Sequence, residues 1–149
     1  MSTTSQANGF GPIVVGVDGS APSRAALEWA AEEASLKHAE LHLVVAWHLP
    51  NFFGGPIPLP EDFDPVGPVQ TVLSEAEKSV TDKYPDLVVK GHVEEGIAAR
   101  ALMATAETLG ASLLVVGARP HGEISGIFIG SVSENVASHA KCPVVVVRH

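Results

Sequence analysis

The chain has 149 residues, enough to enclose one hydrophobic core, so a single domain is expected. It carries 9 basic against 17 acidic residues, a formal net charge of −8, and its lysines and arginines are scattered along the whole length. That excludes the positive face needed to displace counterions from nucleic acid and the polybasic patch needed at an anionic membrane.

The first ten residues are polar and lack the basic start and apolar run of a secretory leader. No apolar stretch approaches the roughly 18 residues of a membrane-spanning helix. One cysteine leaves no internal disulfide. The sequence therefore reads as a soluble, cytoplasmic protein. Its 46% hydrophobic and 5% aromatic content predicts a core of Val, Leu, Ile and Ala.

In chain order, residues 1–12 read as a flexible segment ahead of a domain over 13–149. Ile13 to Val17 is an apolar run closed by Asp18-Gly19-Ser20, a strand with a turn behind it. Ser20 suits a helix cap and Pro22 a first helical turn. Ala26, Trp29, Ala30 and Ala34 carry that helix to about Lys37. Leu41 to Trp47 is a second strand. Residues 48–68 hold Pro50, Pro56, Pro58, Pro60, Pro65 and Pro68, so one long irregular loop is expected. Val69, Val72, Leu73, Ala76 and Val80 mark an amphipathic helix. A third strand follows over 87–93, then a helix over 98–109 stopped by Gly110. A fourth strand covers 112–116, a fourth helix 131–139 and a fifth strand 143–147. Strands alternating with helices predict an α/β fold: an open parallel sheet with helices on both faces. The continuous Val/Leu runs of the first, fourth and fifth strands predict burial on both sides.

Ligands of open α/β sheets sit beyond the carboxyl ends of the strands, where the strand order reverses. Asp18 ends the first strand there. It either accepts hydrogen bonds from a nucleoside or only closes a tight turn. After the fourth strand comes Gly117-Ala-Arg119-Pro120, a Gly-containing loop, and then Gly130-Ser131 opening a helix. This pair is either an ordinary helix start or a cradle of N–H groups for phosphate. A P-loop is absent, because no lysine precedes Ser131. The nucleophile elbow is absent too, since Glu123 stands where that motif needs Gly. His38 and His42 are split by a helix-to-strand boundary, and the other histidines have no ligand spacing, so no metal site is predicted. Cys142 reads as a small buried apolar residue.

Val14-Val-Gly-Val-Asp18-Gly-Ser20 at one end and Ala140-Lys-Cys-Pro143-Val-Val-Val at the other resemble the universal stress protein family. Between them Gly117, Pro120, Gly130 and Ser131 keep the spacing of that family's ATP-binding motif. The resemblance implies a Rossmann-like sheet, of the adenine nucleotide alpha hydrolase type, in order 3-2-1-4-5. It also implies an adenine nucleotide, ATP foremost, as ligand. Carried over by position, Asp18 and Val17 would meet the ribose or adenine, Ala46 the adenine, and Gly117 the ribose. Gly130, Ser131, Val132 and Ser133 would bind phosphates, Arg119 would add a cation, and Asp18 could hold Mg²⁺. The departure is Pro120, where the family's ATP binders carry Gly. Proline has no N–H and cannot adopt positive φ, so one phosphate donor is lost. The expected role is a dimeric stress-response module without catalytic residues. A slow ATPase and a nucleotide-free interaction module are the alternatives. In the implied strand order, strand 143–147 is an unguarded apolar edge, which predicts a homodimer through it.

Overall fold

The computed structural model describes residues 10–49, 51–52, 55–56, 59–118 and 131–148. The elements run β1 (Ile13–Gly16), α1 (Ala21–Lys37), β2 (Leu41–Trp47), β3 (Asn51–Phe52), β4 (Gly55–Pro56), α2 (Gly67–Lys83), β5 (Val89–Glu95), α3 (Ala98–Leu109), β6 (Leu113–Gly117), α4 (Ser131–His139) and β7 (Val144–Val147). Five strands form one parallel sheet in the order β5-β2-β1-β6-β7. With the small β3–β4 pair set aside, that is the order 3-2-1-4-5 expected from the resemblance.

Alternation along the strands builds two cores. Ile13, Val15, Leu41, Leu43, Val45, Leu113 and Val115 face α1 and α2, where Ala26, Leu27, Ala30, Ala34, Leu73, Ala76 and Val80 meet them. Val14, Val44, Leu114 and Val116 face the other way, onto Ala99, Leu102 and Ala106 of α3 and Val136 of α4. Small alanines let α1 lie close on the sheet, and each buried Val or Leu contributes about 1.5–3 kcal/mol.

The helix ends follow local chemistry. Ser20 Oγ accepts from the Ser23 N–H at 3.3 Å and starts α1. His38 ends it at φ 54° in the left-handed region, and Gly110 ends α3 at φ 63°.

The structure corrects the expected element bounds, beginning with the long loop. The loop over 48–68 is not wholly irregular: β3 and β4 pair antiparallel, Asn51 with Pro56 and Phe52 with Gly55. Pro56 is accommodated because a two-residue ribbon is all edge. Helix α2 starts at Gly67, two residues ahead of the first apolar position, with Pro68 in its first turn. Asp64 Oδ1 sets that start by accepting from the N–H groups of Val66 at 3.1 Å and Gly67 at 3.0 Å. Strand β5 runs to Glu95, two residues past the expected end, because its polar half still pairs with Ala46 and Trp47 of β2.

The valines of β7 are half-buried rather than enclosed. This strand has a helix layer on each face but, among the described residues, pairs with only one neighbour, β6. Near the start of the domain, Gly11 accepts a hydrogen bond from Ser112 Oγ at 2.8 Å, and Pro12 accepts one from Ser112 N–H at 2.8 Å. The chain is thus tied to β6 from Gly11 onward.

Candidate functional site

Strand order reverses at β1, which has β2 on one side and β6 on the other. At the carboxyl end of these three strands lies a cavity of about 250 Å³. Gly16, Val17 and Asp18 enter it from β1, Val44 and Ala46 from β2, and Val116 and Gly117 from β6. Ser20, Pro22 and Ser23 of the α1 start, Ala98 and Leu102 of α3, and Ser131, Val132 and Ser133 of the α4 start complete the wall.

Two helix N-termini, those of α1 and α4, therefore open on one cavity. Each turns the positive end of its dipole to the cavity. At α1, Pro22 has no N–H and the Ser23 N–H is taken by Ser20 Oγ, so the N–H groups that can serve an anion are those of the α4 start. Helix α1 has no acidic residue in its first turn, although the Asp18 carboxylate is bound to its N-cap Ser20, and α4 has Glu134. The arrangement favours an anion at the mouth, over a floor of Val17, Val44, Leu102 and Val116 that favours an apolar ring.

Val17 is 6% exposed, and its N–H donates to the Val44 carbonyl at 2.9 Å, which fixes the end of β1. Asp18 is exposed at the rim. Its Oδ1 accepts from the Ser20 N–H at 2.9 Å and from the Ser20 hydroxyl, and its own N–H donates to Ser23 Oγ at 3.1 Å. One carboxylate oxygen thus shapes the βα turn. The turn role of Asp18 is real, and a ligand role would be added to it. Ser133 is 2% exposed at the base of α4, while Val132 stands at the rim.

Gly117 is held where no side chain fits: a Cβ there would lie 2.4 Å from the Pro22 carbonyl oxygen. That close approach of β6 to the α1 start keeps the cavity mouth narrow. Arg119, Pro120 and Gly130 lie outside the described residues. Val17, Asp18, Ala46, Gly117, Ser131, Val132 and Ser133 are the expected positions that the structure does describe, and all of them line one cavity. Sequence reasoning missed Ser20, Pro22, Ser23, Val44, Ala98, Leu102 and Val116. Ser20, Pro22 and Ser23 had a signal, since a helix start behind a βα turn must face the strand ends. The other four are apolar lining residues visible only in the assembled fold.

Among the described residues, no three His, Cys, Asp or Glu side chains converge as a metal site. No helix among the described residues is long and apolar enough to cross a membrane. Cys142 is half-buried against the second core, and burial raises its thiol pKa.

Residues 9–148 match the model of the universal stress protein family. The chain belongs to that family. Universal stress proteins of Mycolicibacterium smegmatis and Mycobacterium tuberculosis are each 34% identical to it, over 145 and 140 residues. Each match takes in 92% of this chain and 45% of the relative, so the chain spans about half the length of these curated relatives. Among solved structures, a universal stress protein in complex with cAMP is 28% identical with a TM-score of 0.72, over 93% of this chain and 97% of that one. The Archaeoglobus fulgidus universal stress protein in complex with dAMP is 26% identical with a TM-score of 0.67, over 92% and 97%. The Rossmann-like α/β fold is common to them.

Proposed function

We propose that this universal stress protein binds an adenine nucleotide, ATP in first place, in the cavity at the carboxyl ends of β1 and β6. The observation that carries the reading is the convergence of two helix N-termini on a partly apolar cavity at the point where strand order reverses. Complexes of two structural relatives with cAMP and dAMP support an adenine ring as the apolar half of the ligand.

In this reading Val17 and Ala46 meet the base through their backbone, Asp18 accepts from the ribose, and Gly117 lets the ribose approach β6. Ser131, Val132 and Ser133 donate N–H groups to phosphate at the α4 start, beside Gly130, with Arg119 as the cation. Mg²⁺, where present, would be held by Asp18 together with phosphate and water oxygens. Pro120 withholds one donor from the motif, which lowers the preference for triphosphate over shorter nucleotides.

The role is binding rather than turnover. Phosphoryl transfer needs a positioned base or water besides a phosphate clamp, and the described lining offers one carboxylate, Asp18, already engaged in its turn. Residues 13–149 act as one cytoplasmic unit that dimerises through β7 and signals its nucleotide state. Nucleic acid and membranes are not among its partners.

The test is mass spectrometry of whatever co-purifies with the protein after denaturation, followed by turnover of labelled ATP. A stoichiometric adenine nucleotide without turnover supports the reading. Rapid hydrolysis would make the chain an ATPase. An empty protein that ignores added nucleotides would make it a ligand-free interaction module.

A further inference from the structure

On the sheet face that carries α3, β2 and β5 bring two histidines to one spot. The register sets His42 across from Lys90 and Val44 across from His92, so the imidazoles are diagonal neighbours. His42 Nδ1 lies 2.8 Å from His92 Nε2. The ring centres are 5.1 Å apart with their planes 21° from parallel. That separation equals the N···N distance plus two ring radii, so the rings meet edge to edge with their nitrogens in line. On its far side, His42 Nε2 lies 3.0 Å from Glu40 Oε1.

The proton positions follow from this chain. A carboxylate only accepts, so His42 Nε2 carries a hydrogen and donates it to Glu40. His42 Nδ1 is then a bare acceptor, and His92 Nε2 must be the donor to it. A first added proton goes to the other nitrogen of His92 and leaves the bridge intact, now charge-assisted. A second, on His42 Nδ1, would set two N–H groups head to head.

We propose that the His42–His92 bridge is an acid-sensitive latch, which fastens edge strand β5 to β2 until a second proton expels His92 into the groove between β5 and α3. His92 is the ring that moves, because it is half-buried while His42 is only 3% exposed. The groove is already there, an open space of about 600 Å³ lined by His92, Glu94 and Glu95 on one side and Arg100, Thr105 and Thr108 on the other.

The charges facing the pair are Glu40 beside β2, Lys90 and Glu94 on β5, and Arg100 on α3; Lys90 Nζ lies 3.9 Å from the Glu40 oxygen. Burial first, then His42, hold the pKa of His92 below the usual histidine value; Glu94 opposes them and Lys90 adds to them. A lowered native pKa at His92 means that the folded pair resists even its first proton. The stability it gives is complete above the unfolded histidine value of about 6.5 and drains away as pH falls through the native one, ahead of the second proton that breaks the bridge. The latch is therefore shut at neutrality and opens in acid.

The experiment is nuclear magnetic resonance on the whole chain. At pH 7.5 the ring nitrogens of His42 and His92 should both show the Nε2–H tautomer. As pH falls, amide exchange in β5, corrected for its intrinsic rate, should accelerate about tenfold per pH unit for the one coupled proton, while β1 stays protected. His92→Phe should remove this acid response. His92→Gln keeps an amide donor for His42 and can turn its carbonyl to a protonated ring, so it should hold β5 protected throughout and carries the test if the Phe variant does not fold. An Nδ1–H tautomer at His92, β5 exchange that tracks β1, or an unchanged acid response in His92→Gln would each overturn the proposal. None of these readings depends on nucleotide binding.

Discussion

Gly117 at the end of β6 and Pro22 at the start of α1 are in backbone contact: a Cβ on Gly117 would sit 2.4 Å from the Pro22 carbonyl oxygen and 3.1 Å from its Cβ. The contact joins two walls of the candidate nucleotide cavity. Gly117→Ala must push a helix start away from the sheet, and we expect a loss of about 1–3 kcal/mol in urea unfolding. Gly16→Ala is the control, because its Cβ would meet the flexible tip of Leu102 at 2.9 Å and should cost less. Equal losses would contradict the rigid-contact argument.

Asp18 has two duties in this account, and two substitutions separate them. Asp18→Asn keeps an oxygen to accept from the Ser20 N–H, so its folding stability should stay near that of the parent while nucleotide affinity drops. Asp18→Ala loses both duties. Its affinity should fall by about 1–3 kcal/mol, and stability by roughly 0.5–1.5 kcal/mol for the lost turn hydrogen bond. Calorimetry and urea unfolding on all three proteins check this. Unchanged affinity in both variants would leave Asp18 as a turn residue only.

Pro120 cannot donate a backbone hydrogen bond. Pro120→Gly should therefore tighten ATP by roughly 1.5–3 kcal/mol for a restored charge-assisted bond, less the entropy of a looser loop. Adenosine, which has no phosphate, should gain little. Parallel titrations with both ligands give the answer, and an ATP affinity that falls or stays constant rejects it.

Assembly through β7 can be tested at the level of single peptide groups. The carbonyls of Pro143 and Val147 accept from the N–H groups of Leu114 in β6 and of Ala118 just beyond it. Because peptide direction alternates along a strand, Val145 also faces β6, whereas Val144 and Val146 aim their N–H groups at the outer edge. Val146→Pro should leave the sheet standing and yield monomer, while Val145→Pro should destabilise the fold itself. Light scattering and thermal unfolding distinguish them. A parent protein that is monomeric at micromolar concentration would remove the basis for a β7 dimer.

Much of this was legible in the sequence, for identifiable reasons. Val14-Val15 and Val115-Val116 are apolar on both faces, which only a central parallel strand requires, and Gly110 marked a helix end by the conformation it alone adopts easily. The boundaries that slipped were those set by polar groups. The start of α2 is fixed by Asp64, three residues ahead of Gly67, and the last turn of pairing in β5 involves Glu94 and Glu95. Hydrophobic periodicity sees neither. Within the site, strand ends and helix starts were readable, but Leu102 and Ala98 reach the cavity only because α3 crosses β1 and β2. The His42–His92 contact was invisible for a related reason: 50 residues separate the two rings, and sheet register alone brings them together.

The most direct test of the central claim is a backbone amide spectrum of the nucleotide-free protein titrated with ATP. The account predicts saturable shifts concentrated at Val17, Asp18, Ala46, Gly117 and Ser131 to Ser133, with the α3–β5 groove around His92 and Thr108 unaffected. No saturable shift with ATP, AMP or cAMP, or shifts centred on that groove, would contradict it.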